Sequence, residues 1–252
     1  MDLFPLVRQV RRSLEAEKGI FSLPRKFKIS FSCGWSCGQP WINDLGFVVR
    51  RRKGRHGFGV IGGGSLGPRP ATGIVLFDWL ASSDVLPAVV AAVRVFAAEG
   101  DRQHRSRARL RHVRQRLGDQ GFIALLRQAL EATKRERKWP EVELPEVEDG
   151  LSARLTLSFP NGDVRPAAAD ALAELADQPG LCLRIGNHHQ VIVFGRDSQQ
   201  LDPAIRAFDP LVEAARPRPT IVACPGTRWC KRALTQTNDL AERIRQHLGE
   251  KV

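Results

Sequence analysis

Apolar positions in the first 18 residues recur at helical spacing: Leu3, Leu6, Val7, Val10 and Leu14, with charged residues between them. That period predicts an amphipathic helix over 3–18. The pattern then changes to alternation. "FKISFSC" predicts a strand ending at a cysteine pair. "DLGFVVRRR" and "GFGVIGGG" predict two more strands, the second running into a glycine loop. Residues 85–99 are apolar and Ala-rich, the pattern of a buried helix. A very basic helix is expected over 101–117. "DQGFIALLRQALEATKRE" predicts another, with an Asp at its cap position.

"KWPEVELPEVEDG", with its prolines and acidic residues, reads as a linker. Beyond it, "ARLTLSFPNGDVR" is a strand entering an Asn-Gly turn. "AADALAELADQPG" is a helix closed by Pro and Gly, and "LCLRIGNHHQVIVFG" is two strands with a polar break. "DPAIRAFDPLVEAA" is a helix with Pro in its first turn. The order β-α-β-β-α is a half-ferredoxin-like unit. A short strand, a cysteine loop and a last helix complete the chain. The predicted class is α+β: a mixed sheet with helices plus the smaller unit. Expected boundaries are 1–139, a linker 140–150, a half domain 151–216, and a segment 217–252 packing back on the first portion.

Composition narrows the classes. The chain has 252 residues, 42% of them apolar, which excludes a disordered tail and allows a sizeable core. No stretch approaches the roughly 20 apolar residues that span a bilayer. Charges interrupt the first residues where a signal peptide needs an apolar run, so a cytoplasmic protein is expected. The formal charge of +12 favours an anionic partner: nucleic acid, an acidic cofactor, an oxyanion or an acidic redox protein. An Arg-rich coding bias explains the same surplus.

Four of the five cysteines fall at predicted junctions. Cys33 and Cys37 are spaced C-x3-C, and Cys224 and Cys230 C-x5-C, whereas Cys182 sits inside a strand as a small apolar residue would. Thiolates are soft ligands that suit zinc or iron–sulfur clusters, and four complete a [4Fe-4S] site. Four unrelated buried thiols are the competing explanation. The spacings suit structural zinc less well than C-x2-C pairs.

Several segments resemble the sirohaem- and [4Fe-4S]-containing sulfite and nitrite reductases. These are "LPRKFKISFS", "SCGWSCGQPWINDLGFVVR", "GFGVIGGGSLG", "RARLRHVRQRLGDQGFIALLRQAL", "LTLSFPNGDV…LRIGNHHQVIVFG" and "ACPGTRWCKRALTQTNDLAERI". The resemblance implies that Lys26 and Lys28 bind substrate and supply protons on the distal side of sirohaem. It implies that Cys33, Cys37, Cys224 and Cys230 hold the cluster, with Cys37 shared with the haem iron. Arg25, Arg50, Arg51, Arg52, the loop Gly62, Gly63 and Gly64, Arg184 and Asn187 become the candidate grips on the cofactor carboxylates. The implied reaction is six-electron reduction of sulfite or nitrite, fed by ferredoxin or a reductase subunit.

The departures are plain. The chain carries about one sirohaem-domain half and one ferredoxin-like half, its cysteine segments stand in rotated order, and Gly34-Trp35 replaces Pro-Asn between the paired cysteines. A homodimer or heteromer completing the pseudo-twofold is therefore expected. Three alternatives stay open: a precorrin-3B-synthase-like tetrapyrrole enzyme, a non-catalytic partner subunit, and a basic nucleic-acid-binding module. Scarce aromatic groups in 50–55 and 101–117 argue against the last.

Overall fold

The computed structural model describes residues 3–67, 69–144, 151–187, 189–211 and 221–249. The second half of the expected linker (145–150), His188 and the start of the last expected strand lie outside the described residues. The chain divides into two compact units, Met1–Val147 and Glu148–Val252. The second unit therefore includes the C-x5-C segment.

In the first unit, helix α1 (Phe4–Glu15) buries Leu6 and Val10 and leaves Val7 exposed. Four strands follow: β1 (Ile29–Ser32), β2 (Leu45–Arg52), β3 (Arg55–Gly62) and β4 (Ile74–Ala81). They form a mixed sheet in the order β1-β2-β3-β4. β1 runs parallel to β2, with Ile29 opposite Leu45, and the other pairs are antiparallel. A parallel pair needs a crossover, and residues 33–44 supply it through two 3-10 turns, Trp35–Cys37 and Gln39–Ile42. Cys33 and Cys37 thus belong to a crossover, not to a strand. β4 was not anticipated from the pattern.

The alternation of β2 and β3 turns Phe47 and Phe58 into one core, where their rings meet edge to face at 5.9 Å, and Phe31 stacks on Phe47 at 4.8 Å. Helix α2 (Val85–Glu99) is buried over most of its length and shares that core, as its apolar run requires. Helix α3 (Leu110–Glu136) is broken at Gly118, which takes the left-handed φ of +68° that a glycine adopts at least cost. The helix expected over 101–117 begins only at Leu110. Residues 101–109 form an irregular segment with one 3-10 turn, Arg105–Arg107.

The second unit carries β5 (Ala153–Ser158), α4 (Pro166–Ala176), β6 (Cys182–Ile185), β7 (Gln190–Gly195) and α5 (Asp202–Phe208), the β-α-β-β-α order read from the pattern. Its antiparallel sheet has the order β5-β7-β6. Leu157, Leu175, Val193, Ala204 and Phe208 form its core. The Asn161-Gly162 turn takes positive φ at both residues, as the dipeptide predicts. Short helix α6 (Gly226–Trp229) and helix α7 (Thr237–Gly249) follow, and residues 221–225 are irregular where a strand was expected. The α+β class stands.

Candidate functional site

Lys26 and Lys28 lie in extended chain just before β1, both exposed. The Lys28 N–H donates to Asp44 Oδ2 at 2.8 Å, and the Lys28 carbonyl accepts from Leu45 N–H at 3.1 Å. The same carboxylate takes two bonds from Arg109, Nη2 to Oδ2 at 2.7 Å and Nε to Oδ1 at 3.2 Å. A buried carboxylate with three donors is the satisfied case that makes burial of an ion pair tolerable.

Arg109 opens α3 and forms one wall of a cavity of about 1170 Å³. Arg25 and Lys26 line it ahead of β1, Arg69 from the loop after β3, and Arg105, Arg107, Arg109, Arg111 and Arg116 from the irregular segment and α3. The acidic lining is Glu99 and Asp101. Arg109 is neutralised by Asp44, and Arg116 by Glu99 at 2.5 Å. The other six cations have no ion pair among the described residues. Two like charges about 4 Å apart repel by about 1 kcal/mol in water and about 4 kcal/mol near a protein surface. Such clustering is retained where an anion relieves it.

Further signs point into the same cavity. Arg111 is buried, and desolvation, then repulsion by Arg109 and Arg69, pulls its guanidinium below the usual arginine value. Arg25 Nη1 and Ser65 Oγ are buried without hydrogen-bond partners. His112 is half-buried in the wall, its Nδ1 2.8 Å from Gln115 Oε1. Burial first, and Arg111 next, lower its pKa from the ordinary histidine value. A smaller cavity of about 660 Å³ shares Ser65, Leu66, Pro70, Arg111 and Gln115 with the first.

Other expected residues fall elsewhere. Gly62 pairs within β3, the Gly63 N–H donates to the Asp44 carbonyl at 2.9 Å, and the Gly64 N–H donates to the Asn43 carbonyl at 3.0 Å. These donors are spent on the crossover, a different job from cradling a carboxylate. A Cβ on Gly64 would lie 2.2 Å from the Trp41 carbonyl oxygen, so close approach is what demands glycine there. Arg50, Arg51 and Arg52 sit at the far end of β2 from the cavity. Arg50 lies over the Trp35 ring at 5.0 Å and donates to the Asp78 carbonyl at 2.9 Å. In the second unit, Arg184 is half-buried in β6 and Asn187 is exposed in the turn beyond it.

Cys33, Cys37, Cys224 and Cys230 are exposed, and Cys182 is half-buried at the start of β6. The hydrogen bond between the Thr237 hydroxyl and Cys224 Sγ, and then the Gly226 N–H, lower the Cys224 thiol from its ordinary pKa, favouring thiolate. Among the described residues no three His, Cys, Asp or Glu side chains are gathered as a metal site.

The cavity cations Arg69, Arg105, Arg107, Arg109, Arg111 and Arg116 were not singled out from sequence. A signal for four of them was present: "RSRARLR" alternates arginine with smaller or apolar residues at period two. Ala108 and Leu110 are indeed buried between exposed or cavity-facing arginines. The segment that carries them is not one continuous helix: Arg105–Arg107 is a 3-10 turn and Leu110 opens α3.

Residues 1–134 match the nitrite and sulphite reductase 4Fe-4S domain family. The chain is similar to the assimilatory ferredoxin-dependent nitrite reductase of Haloferax mediterranei, 30% identical over 98% of this chain and 47% of that protein. It is similar to the chloroplastic ferredoxin–nitrite reductase of Zea mays, 26% identical over 96% of this chain and 46% of that one. The solved structure of the Mycobacterium tuberculosis NirA protein superposes with a TM-score of 0.76 at 23% identity, covering 97% of this chain and 48% of that chain. The chain spans about half the length of these relatives. No helix of the described residues is long and apolar enough to cross a membrane.

Proposed function

The chain belongs to the nitrite and sulphite reductase 4Fe-4S domain family, and from that premise we propose that its first unit is the anion-holding half of a sirohaem-dependent nitrite or sulfite reductase. The observation that carries this reading is the cluster of six unneutralised cations around one cavity. A tetrapyrrole with many carboxylates is the partner such a lining fits. The volume, the orphaned Arg25 Nη1 and the orphaned Ser65 Oγ agree with it. Arg25, Arg69, Arg105, Arg107 and Arg111 would hold the carboxylates by charge-assisted hydrogen bonds. Lys26 would face the oxyanion.

Bound there, a tetrapyrrole iron would supply a site for the nitrogen or sulfur of the oxyanion, and a [4Fe-4S] cluster would supply electrons. This chain's residues bind, orient and neutralise. Cations fixed in a half-enclosed site stabilise negative charge without reorganising. Lys26 holds a proton at Nζ and presents it to an oxyanion oxygen.

Cys224, whose thiol pKa its loop lowers, and Cys230 are proposed as two cluster ligands. Cys33 and Cys37 are the pair assigned to complete the set of four. Completion of the set is proposed either within one chain or with a second copy of the chain or a companion chain. The proposed electron donor is ferredoxin, the donor in the names of the relatives.

The test is turnover. Protein produced with sirohaem synthesis and iron supply, given reduced viologen, should release ammonium from nitrite or sulfide from sulfite. Lys26→Ala should remove at least about 99% of that rate, as loss of a charge-stabilising donor does. Cofactor-loaded protein with no turnover on either anion contradicts the reading.

A further inference from the structure

One imidazole, that of His112, stands among the cations of this cavity. His112 lies on the first turn of α3 and faces the cavity, half-buried, with Nδ1 2.8 Å from Gln115 Oε1. An amide oxygen only accepts, so Nδ1 carries the hydrogen and the other ring nitrogen is free to accept a proton. The charged groups around it come from every wall. Its own helix gives Arg111 and Arg116, the preceding turn Arg105 and Arg107, and the segment after α2 Glu99 and Asp101. Arg25 and Lys26 stand ahead of β1 and Arg69 in the loop after β3.

We propose that His112 is the proton carrier of this cavity, taking up a proton when an anion enters and returning it to the water that serves the bound anion. The proposal rests on the anion-site reading above and adds a residue to it. The step is a proton transfer alone. The free ring nitrogen accepts H⁺ from bulk water, the imidazolium loses that H⁺ inside the cavity, and the ring ends as it began. Electrons for the reduction come from the donor.

Geometry and charge make the coupling. Burial, then Arg111 and more weakly Arg107, disfavour the imidazolium, while Gln115 and the Ser106 backbone favour it. An anion seated among the arginines, a cofactor carboxylate in the reading above and nitrite or sulfate in its place on the cofactor-free chain, cancels the unfavourable field and leaves those two acceptors in place. Proton and anion then bind with mutual support, and linkage is reciprocal: lower pH tightens the anion, and the anion raises the imidazole pKa. The direction would reverse for a histidine whose neutral form held the anion.

The experiment is calorimetry on the full chain with nitrite and with sulfate, neither of which takes up a proton near neutral pH. It is run near about pH 6.5 in buffers of different ionisation enthalpy, so that the buffer dependence counts protons. Wild-type protein should take up a fraction of a proton per anion bound, and His112→Gln should take up none. Between about pH 8 and pH 6 wild-type affinity should tighten at least about fivefold, with a flat profile in His112→Gln. The His112 ring resonance should move its titration upward on adding sulfate. Uptake that persists unchanged in His112→Gln, or anion binding with no uptake in the wild type, overturns the role of His112 and leaves the anion site standing. Failure of both anions to bind removes the anion site and this proposal together.

Discussion

Asp44 and Arg109, 65 residues apart in sequence, meet as a two-pronged ion pair whose carboxylate is wholly buried, with Nη2–Oδ2 at 2.7 Å. The pair ties the crossover to the start of α3. It thereby fixes the Lys28 backbone and the Arg109 wall of the cavity at once.

Removing one partner of a buried pair leaves an uncompensated charge. Asp44→Ala should lose about 3–5 kcal/mol of stability in urea unfolding. The double variant Asp44→Leu with Arg109→Met should recover much of that loss, because no buried charge remains. Equal destabilisation in the double and single variants would show that the pair is not isolated as the geometry has it.

The two lysines should separate. Lys26 lines the cavity and Lys28 does not. Lys26→Ala should weaken nitrite or sulfate binding about tenfold, near 1.4 kcal/mol, and Lys28→Ala about twofold or less, within the range of a solvated surface charge. The same titration calorimetry reads both, and equal losses would place Lys28 in the site as well.

Gly64 has no room for a side chain. Gly64→Ala sets a Cβ against the Trp41 carbonyl, so the loop must move, at a cost of about 1–3 kcal/mol. Thermal unfolding should show it. An unchanged melting temperature would mean that the close approach is easily relaxed.

Cys224 supplies a test by pH. Its pKa is lowered chiefly by the Thr237 hydrogen bond, so more thiolate is present at a given pH than in an ordinary thiol. Thr237→Val should move the alkylation profile of Cys224 to higher pH and slow its reaction at neutral pH. A profile that stays in place would assign the shift to the Gly226 N–H.

The strands around Phe47 and Phe58 were legible as short apolar runs bounded by arginine and glycine, buried over consecutive residues. The β-α-β-β-α order of the second unit was legible because alternation writes half-buried strands such as β5 and β7 directly into sequence, helped by the Asn161-Gly162 turn. The segment 101–109 was misread because its charge suggested a solvated helix face, although Arg105, Arg107, Arg109 and Arg111 alternate with period two. Arg25 and Lys26 were anticipated as site residues from the resemblance of their segment. The cavity as a whole was not, because its cations come from separate stretches that only the fold brings together. Asp44 gives no local sign of its partner at 109. The glycines at 62–64 marked a turn correctly, but their N–H groups serve the crossover.

The arginine-lined cavity of the first unit is proposed to receive an anionic tetrapyrrole. The most direct measurement is the visible spectrum of the purified chain titrated with sirohaem, beside the variant Arg107→Glu with Arg111→Glu. The account predicts a saturable shift of the Soret band with the native chain and its loss in the charge-reversed variant, whose circular dichroism stays native. An equal shift in both proteins, or none in the native chain, contradicts it.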